Sequence, residues 1–334
     1  MKKLLCILLA LTLCPLYALA ADSAKYTATS KISGPIYAEM DTESKTVGRV
    51  NPNASVSVYA LYPDWALVGA GGKTGYVPRR YLNAGKAIDA AATPPWGVEF
   101  YHYVGVVGAN GVTIHTAPAA DSEALIVLGE GARITLIDLA DGWGRLSYYR
   151  QYGYVNTNEL KELLPVCTDA ASGTGLAPIA AFTSYYVVGS DDEVVRGKEI
   201  NIGINCFFMN GDVLEAGETL DYDNYFGPYS RSKGYVNGPV LLDNGWGKGP
   251  GGGVCQVSST LYNVLLQLPG ISILQRSSHG PSGISYLPLD MDAAVGNQDK
   301  GINMVVRNDY DFDLRFEAQA QDGALYIAIY KVME

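Results

Sequence analysis

The first half of the chain contains two copies of one segment, offset by 78 residues. Trp65 aligns with Trp143, and Gly75-Tyr76-Val77 aligns with Gly153-Tyr154-Val155. The alignment needs no gap over residues 36–82. A match of this length predicts that one small fold occurs twice in succession.

Each copy has the pattern of short β-strands. Apolar residues alternate or cluster in short runs, and turn sequences such as Asn51-Pro52-Asn53 and Gly129-Glu130-Gly131 separate these runs. No helical period is present, and a copy is only about 60 residues long, which favours a small β-barrel. The fold predicted for the first half is therefore two small barrels.

The aromatic signatures of the two copies carry a family resemblance. Trp65 followed by "KTGYV", and Trp143 followed by "QYGYV", resemble the bacterial SH3 domain family over residues 26–84 and 100–162. The resemblance implies SH3-like barrels that bind cell-wall peptidoglycan, with residues 85–99 as a linker. The candidate groove aromatics are tyrosines, and the alternative is that they only fill a small core: Tyr37, Tyr62, Tyr81, Tyr148 and Tyr149.

The first twenty residues have the pattern of a secretory signal peptide. Lys2 and Lys3 precede an apolar run over residues 4–13, and Ala18-Leu19-Ala20 provides a small-residue cleavage site. A retained membrane anchor is the alternative, but a span needs about 20 apolar residues. The sequence therefore predicts a secreted, extracytoplasmic protein, associated with the cell wall and without a membrane span in the mature chain.

The net charge and the spacing of the histidines and cysteines argue against several functions. The chain carries 24 Lys and Arg against 34 Asp and Glu, a net charge of −10, so a nucleic-acid partner is not expected. The three histidines and the cysteines lack metal-ligand spacing, so no metal and no cofactor are predicted. Beyond the leader, Cys167, Cys206 and Cys255 are too few for a disulfide scaffold, although a bridge between Cys167 and Cys206 remains open.

The pattern changes after a second predicted linker, residues 163–178. Residues 179–334 contain strand-like runs and one clear helix, in which apolar residues repeat at helical spacing from Val257 to Leu268 before Pro269-Gly270. The predicted fold is thus mainly β, with the two barrels followed by an α+β C-terminal domain that has one prominent helix. The runs are residues 181–188, 239–242, 302–307, 314–318 and 325–332.

Cys255 falls at the start of this helix. Free N–H groups and the positive end of the helix dipole stabilise a thiolate at that position. The glycines at 251–253 let the backbone approach a ligand and donate to an oxyanion. With His279 as base and Asp290 or Asp292 to orient it, Cys255 would be equipped for acyl transfer. The alternative is a small buried cysteine and a structural histidine.

The sequence around Cys255 resembles a second family. The segment "GGGVCQVSSTLYNVLLQLPGISILQRSSHGPSGISYLPLDMDAAV" resembles the VanW family, and the likeness extends over residues 179–334. The glycine-rich join after His279 and Thr219-Leu220-Asp221 depart from the family pattern. The resemblance implies association with the cell envelope and carries these site positions: Gly252, Gly253, Cys255, Gln256, Ser258, Arg276, His279, Tyr286 and Asp292.

Two functions follow from these patterns. In the first, an exported envelope protein binds peptidoglycan through its tandem SH3-like domains and presents a VanW-like accessory domain to wall peptides. In the second, the protein is a cysteine-dependent peptidase or transpeptidase of wall peptides, with Cys255, His279 and Asp292 as its catalytic residues. The two differ in whether the Cys255 sulfur lies beside an imidazole or is buried among apolar groups.

Overall fold

The computed structural model describes residues 24–88, 93–242, 245–280 and 284–333. The predicted signal peptide, residues 1–20, lies outside the described residues. The described chain is mainly β, as the sequence predicts, and its three α-helices all lie in the C-terminal part.

The first repeat is one antiparallel sheet in the order β3-β2-β6-β5-β4-β1-β7. Alternate residues point into one apolar core, which includes Ile36, Val58 and Leu61. The strands are β1 Tyr26–Thr29, β2 Gly34–Tyr37, β3 Thr46–Val50, β4 Ser55–Leu61, β5 Trp65–Ala70, β6 Lys73–Pro78 and β7 Lys86–Ala87.

The second repeat has β8 Tyr103–Val107, β9 Val112–His115, β10 Ala124–Leu128, β11 Arg133–Leu136, β12 Asp138–Ala140, β13 Trp143–Tyr148, β14 Gln151–Asn156 and β15 Leu160–Pro165. Strands β9, β10, β13 and β14 begin and end 78 residues after β2, β3, β5 and β6, which confirms the repeat. Ile137 separates β11 from β12, and these two strands belong to different sheets. The strand orders of the two sheets are β10-β9-β14-β13-β12 and β11-β8-β15.

Neither repeat closes into the expected barrel within the described residues. Strands β3 and β7 are the edges of the first sheet and do not pair with each other. In the second repeat the interruption at Ile137 divides the strands between two sheets. The SH3 relationship of the repeats therefore stays a prediction.

In the C-terminal part, α1 and α3 pack against each other and against one sheet, α1 on β23 and α3 on β16 and β24. Strands β16-β24-β23-β17 form that sheet, β18-β22-β21 form a second sheet, and β19-β20 form a hairpin. The elements are β16 Ala180–Tyr185, α1 Glu193–Met209, β17 Val213–Leu214, β18 Thr219–Asp221, α2 Tyr222–Phe226, β19 Asn237–Leu242, β20 Gly245–Pro250, α3 Val254–Leu265, β21 Ile271–Arg276, β22 Met304–Asn308, β23 Leu314–Gln321 and β24 Ala324–Lys331.

The prediction of one prominent helix is wrong, because α1 has 17 residues and is longer than α3. The buried face of α1 contains Asn201 and Asn205 beside apolar residues, while Phe207 lies exposed on the other face. Polar groups inside and an aromatic ring outside remove the apolar period that reveals a helix in sequence. The asparagines tolerate burial because both are hydrogen-bonded, Asn205 to Tyr222 and Tyr235.

Two glycines of α1 allow a matched prediction. A Cβ at Gly197 would lie well inside contact distance of the backbone carbonyl of Asn237 in β19, whereas a Cβ at Gly203 meets no atom within 4 Å. Gly197→Ala should therefore lower the free energy of unfolding by about 3 kcal/mol. Gly203→Ala should raise it by about 0.5–1 kcal/mol, because alanine is the better helix former. Urea unfolding of both variants tests this, and equal effects would contradict the packing described.

The predicted domain boundaries remain predictions, but the segments between the units make specific contacts. Thr93 Oγ1 donates to the carbonyl oxygen of Leu268, 2.8 Å away, and the N–H of Tyr101 donates to Gln267 Oε1 at 3.2 Å. Gln267 follows α3, so residues 93–101 are held against the end of the helix that carries Cys255. The predicted linker 85–99 is thus packed on the C-terminal part over its second half.

Candidate active site

Cys255 lies in the first turn of α3, which confirms the position expected from the sequence. The helix begins after Gly253, whose φ of 115° is a conformation that a side chain would strain. A Cβ there would lie 2.9 Å from the carbonyl oxygen of Lys198 in α1. The cysteine is half-buried, at a helix start held close against a neighbouring helix.

The glycines before Cys255 are fixed by contacts with the hairpin and α1. A Cβ on Gly252 would approach the backbone nitrogen of Pro239 to 2.6 Å, so only glycine fits beside β19. The Asn201 amide, fully buried, donates 2.9 Å bonds to the carbonyl oxygens of Gly252 and Val236, and its own oxygen accepts from the N–H of Val236. These bonds define the path of the loop that delivers Cys255.

His279, Asp292 and Arg276 form one hydrogen-bonded chain. His279 Nδ1 lies 2.6 Å from Asp292 Oδ2, and the backbone N–H of His279 donates to the same oxygen at 2.7 Å. Arg276 Nη2 donates to Asp292 Oδ1 at 2.9 Å, and Arg276 Nε donates to the Asp292 carbonyl oxygen. The carboxylate is only 2% exposed, and its bond to Nδ1 turns the other ring nitrogen, Nε2, away from it.

Helix α3 also positions Asp292. Ser258 Oγ donates to the carbonyl oxygen of Ala293 at 2.6 Å, and Ser259 Oγ accepts from the N–H of Ala293 at 2.9 Å. One turn later, Asn263 donates to the carbonyl oxygen of Met291. Helix α3 therefore carries both the Cys255 thiol and the side chains that hold the backbone on either side of Asp292.

The Cys255 sulfur and the His279 ring interact. Burial lowers the pKa of His279, but hydrogen bonds to Asp292 and to Cys255 outweigh burial and raise that pKa to about 9. The Cys255 thiol donates its hydrogen bond to the carbonyl oxygen of Val295, 3.4 Å away. The influence of Cys255 on the pKa of His279 places the imidazole near the sulfur. Catalytic hydrogen bonds often align only when substrate is bound, so proton transfer to His279 requires the thiol to turn from the Val295 carbonyl to the imidazole.

The groups around Asp292 lower the pKa of its carboxyl group. Burial alone raises the pKa of Asp292, but the hydrogen bonds from His279 and the charge of Arg276 lower it below its usual value. Asp292 is therefore the acid beside His279. Asp290, the other acid open from the sequence, is exposed and contributes its backbone carbonyl to Arg276.

Two aromatic groups and one cationic group lie within electrostatic range of the Cys255 thiol. The ammonium of Lys198 lies 4.9 Å from the centre of the Tyr286 ring, and both groups interact with Cys255. Burial raises the pKa of Tyr286 well above its usual value and raises that of Tyr229, which also faces Cys255. Both phenols are therefore neutral hydrogen-bonding groups at neutral pH.

The second repeat holds one side of this site. Arg150 lies at the turn between β13 and β14, and its guanidinium donates to the carbonyl oxygens of Ile284 and Leu287, at 2.7 and 3.3 Å. These two residues flank Tyr286. The segment that contains Tyr286 is thus held by a residue of the second repeat.

Two of the predicted binding residues lie inside the protein. Gln256 is 1% exposed, and its amide donates to Ser184 Oγ and to the carbonyl oxygen of Tyr185 in β16. Ser258 is fully buried on the Ala293 carbonyl. Gly252 and Gly253 directly precede the helix turn that carries Cys255, Tyr286 lies within electrostatic range of the thiol, and Arg276 is bonded to Asp292.

The candidate groove tyrosines pack against other rings. Tyr37 is 8% exposed and meets Trp65 edge-on, with ring centres 5.7 Å apart. Tyr62 packs on Tyr76, and the Tyr81 ring lies under the guanidinium of Arg80. Tyr148 packs on Tyr149 and on Tyr185 of β16, which joins the second repeat to the C-terminal sheet.

A groove of about 470 Å³ lies on the second repeat. Its wall combines two aromatic rings with charged and small groups, a composition suited to a polar ligand with an apolar face. The lining residues are Pro118, Asp138, Ala140, Asp141, Trp143, Arg145 and Tyr154. This groove shares no residue with the tyrosines selected from the sequence.

Several residues of the candidate site were missed by the sequence analysis. Lys198 and Asn201 lie on α1, which the apolar pattern did not reveal. Ser259 and Asn263 lie on the predicted helix, and the sequence pattern there could have identified them. Polar residues one turn apart inside an otherwise apolar helix indicate side chains that hold a neighbouring segment. Arg150 has no local sequence signal, because its partners are more than 130 positions away.

A pH dependence follows from the raised pKa of His279. The unfolded ring has a pKa near 6.5, so the stabilisation by the bound proton is complete below about pH 6.5 and is lost as the pH rises through about 9. The ring is 11% exposed, and the shift corresponds to about 3 kcal/mol. Urea unfolding from pH 6 to 10 should show this loss in the wild type and not in His279→Gln. Parallel pH profiles would contradict the assignment.

The parts of the chain that the structure describes give three negative observations. No helix there is long and apolar enough to cross a bilayer. No group of three or more His, Cys, Asp and Glu side chains in those parts is arranged to hold a metal ion. Cys167, Cys206 and Cys255 are all free thiols.

A family profile described as VanW like protein matches residues 197–330, which include Lys198 and the whole Cys–His–Asp arrangement. Residues 197–330 form a VanW-like domain. This finding agrees with the family resemblance of the C-terminal sequence. The match begins within α1 and ends in β24.

The likeness to two curated relatives covers less than half of each of them. Uncharacterized protein YoaR of Bacillus subtilis is 31% identical over 135 residues, covering 40% of this chain and 43% of that protein. Vancomycin B-type resistance protein VanW of Enterococcus faecalis is 28% identical over 127 residues, covering 37% and 45%. The chain thus spans less than half the length of the curated relatives it matches. A solved structure of NlpC2 from Trichomonas vaginalis aligns over 92% of this chain and 98% of its own at 10% identity, but its TM-score of 0.18 carries no argument.

Proposed function

We propose that this protein is an extracytoplasmic, cysteine-dependent acyl-transfer enzyme, a peptidase or transpeptidase, that acts on cell-wall peptides. One observation carries the proposal: Asp292 holds the ring of His279 beside the Cys255 thiol at a helix N-terminus. A merely structural cysteine needs neither an oriented imidazole nor a carboxylate behind it. The VanW relative and the predicted leader supply the envelope context.

The reaction assigns one role to each group. His279 takes the thiol proton, and the Cys255 sulfur forms a bond to the carbonyl carbon of the substrate amide. The C–N bond then breaks, and the amine leaves with the proton from His279. Water or a second amine attacks the thioester, gives its proton to His279 and releases the Cys255 thiolate. Asp292 stabilises the imidazolium throughout.

The two repeats would bring this site to the wall. Two linked binding units raise the effective concentration at a polymer even when each binds weakly. The groove beside Trp143 and Tyr154 supports this role for the second repeat. Because the chain is acidic, we expect recognition through rings and hydrogen bonds, so binding to purified peptidoglycan should change little between low and high salt.

The proposed activity is tested with the purified full chain and soluble muropeptides of defined composition. Mass spectrometry should detect either hydrolysed stem peptides or, when an amine acceptor is added, exchanged ones. Absence of both products, in a protein that sediments with purified peptidoglycan, would replace the enzyme with a binding module that presents its VanW-like domain to wall peptides.

A further inference from the structure

Lys198 is a cation beside Cys255 that has no carboxylate partner among the described residues. Helix α1 carries it, and its stem lies against Gly253, where an added Cβ would approach the lysine Cγ to 3.0 Å. Its ammonium faces the Tyr286 ring. Cys255 lies within electrostatic range of the same ammonium. Asp223, a carboxylate on the neighbouring segment, is already bonded to Tyr229 and to the N–H of Gly296.

The charges of the site do not balance with Lys198 included. The Asp292 carboxylate is already paired with the Arg276 guanidinium and with the His279 ring. Lys198 adds one positive charge in a half-buried position, where an ammonium without an anion is unfavourable. Burial lowers the pKa of Lys198 to about 8, so the group still carries its charge at neutral pH. A ligand with a negative group would balance this charge.

We propose that Lys198 binds a carboxylate of the substrate next to the bond that is cleaved, so that the site selects acidic peptides. This assignment rests on the proposed acyl-transfer function. A carboxylate on the leaving side would be drawn toward the thiol and would orient the scissile carbonyl between Cys255 and His279. Such a carboxylate can be the C-terminal group of the peptide or an acidic side chain.

Binding to an unreactive full-length protein tests Lys198 separately from catalysis. In the Cys255→Ser background, titration calorimetry compares a synthetic wall stem peptide with its fully amidated form. We expect the acid to bind at least 10-fold more tightly than the amide, as expected for a charge-assisted contact. Lys198→Met should reduce this ratio to below twofold, and Lys198→Arg should retain most of it. A third peptide, amidated only at its C terminus, distinguishes the two sources of the carboxylate.

Each outcome decides the proposal. An unchanged acid-to-amide ratio in Lys198→Met, or no binding of either peptide, overturns it. Cleavage is measured separately in protein that retains Cys255. If Lys198→Met there lowers cleavage of both peptides equally, the lysine acts on the thiol instead, and the proposal is overturned. A Lys198-dependent preference for the acid without any cleavage supports the carboxylate site and rejects the proposed enzyme. Lys198→Gln serves as a second variant if the Met variant fails to fold.

Discussion

The Cys255→Ser variant is expected to lose at least about 10³-fold in the rate at which muropeptides are cleaved or exchanged. A serine hydroxyl is far less acidic than a thiol, so the His279 imidazole cannot generate an equivalent nucleophile from it. The substitution removes little volume at a half-buried position, so the fold and the sedimentation with peptidoglycan should be retained. Mass spectrometry of reaction products and a pelleting assay measure the two properties.

Cys167→Ser is the matched control for this prediction. Cys167 is also a half-buried free thiol, but its sulfur faces the Asp169 carbonyl and Ser172 rather than an imidazole. Its replacement should leave the reaction rate unchanged. If Cys255→Ser alters only the midpoint of thermal unfolding, then Cys255 is a packing residue and the binding-module alternative applies.

The Asp292→Asn variant should lose both activity and stability. Asparagine cannot neutralise an imidazolium, and its amide can hold the ring in the wrong tautomer, so we expect the rate to fall by about 10²-fold or more. Arg276 loses the charge that it faces in a site where the carboxylate is 2% exposed. Breaking such a pair from one side should lower the free energy of unfolding by about 3 kcal/mol.

Asp290→Asn provides the comparison for Asp292→Asn. Asp290 is exposed, and its φ of 61° is a conformation that asparagine accepts well. Its contact with Arg276 uses the backbone carbonyl, which the substitution keeps. Activity and urea stability should therefore stay near the wild-type values. Equal losses in the two variants would show that Asp292 has no special relation to His279.

Much of the site was predictable because its signals are local. The glycines at 251–253, the apolar period after Cys255 and the stop at Pro269-Gly270 place the thiol in the first turn of a helix, and the structure agrees. The strand runs of the C-terminal half correspond to β16, β19, β22, β23 and β24. Strands β2, β3, β5 and β6 of the first repeat recur in the second, as the offset of 78 residues requires.

The remaining features depend on contacts between distant parts of the chain. Helix α1 was missed because its buried face satisfies Asn201 and Asn205 through hydrogen bonds, which replace the apolar period. The choice of Asp292 over Asp290 depends on how Ser258 and Ser259 hold the Ala293 backbone. Hydrophobic periodicity reports which face of an element is buried, but not which polar group meets which partner.

The most direct test of the account is the alkylation rate of Cys255 relative to Cys167 in the same molecule. Full-length protein is treated with iodoacetamide at pH 6.5, and peptide mapping follows each cysteine separately. We predict that Cys255 reacts at least about 10-fold faster than Cys167 in the wild type, because His279 accepts its proton. His279→Gln should remove this difference. Equal rates for the two cysteines in the wild type, or an unchanged ratio in His279→Gln, would contradict the claim that His279 activates Cys255.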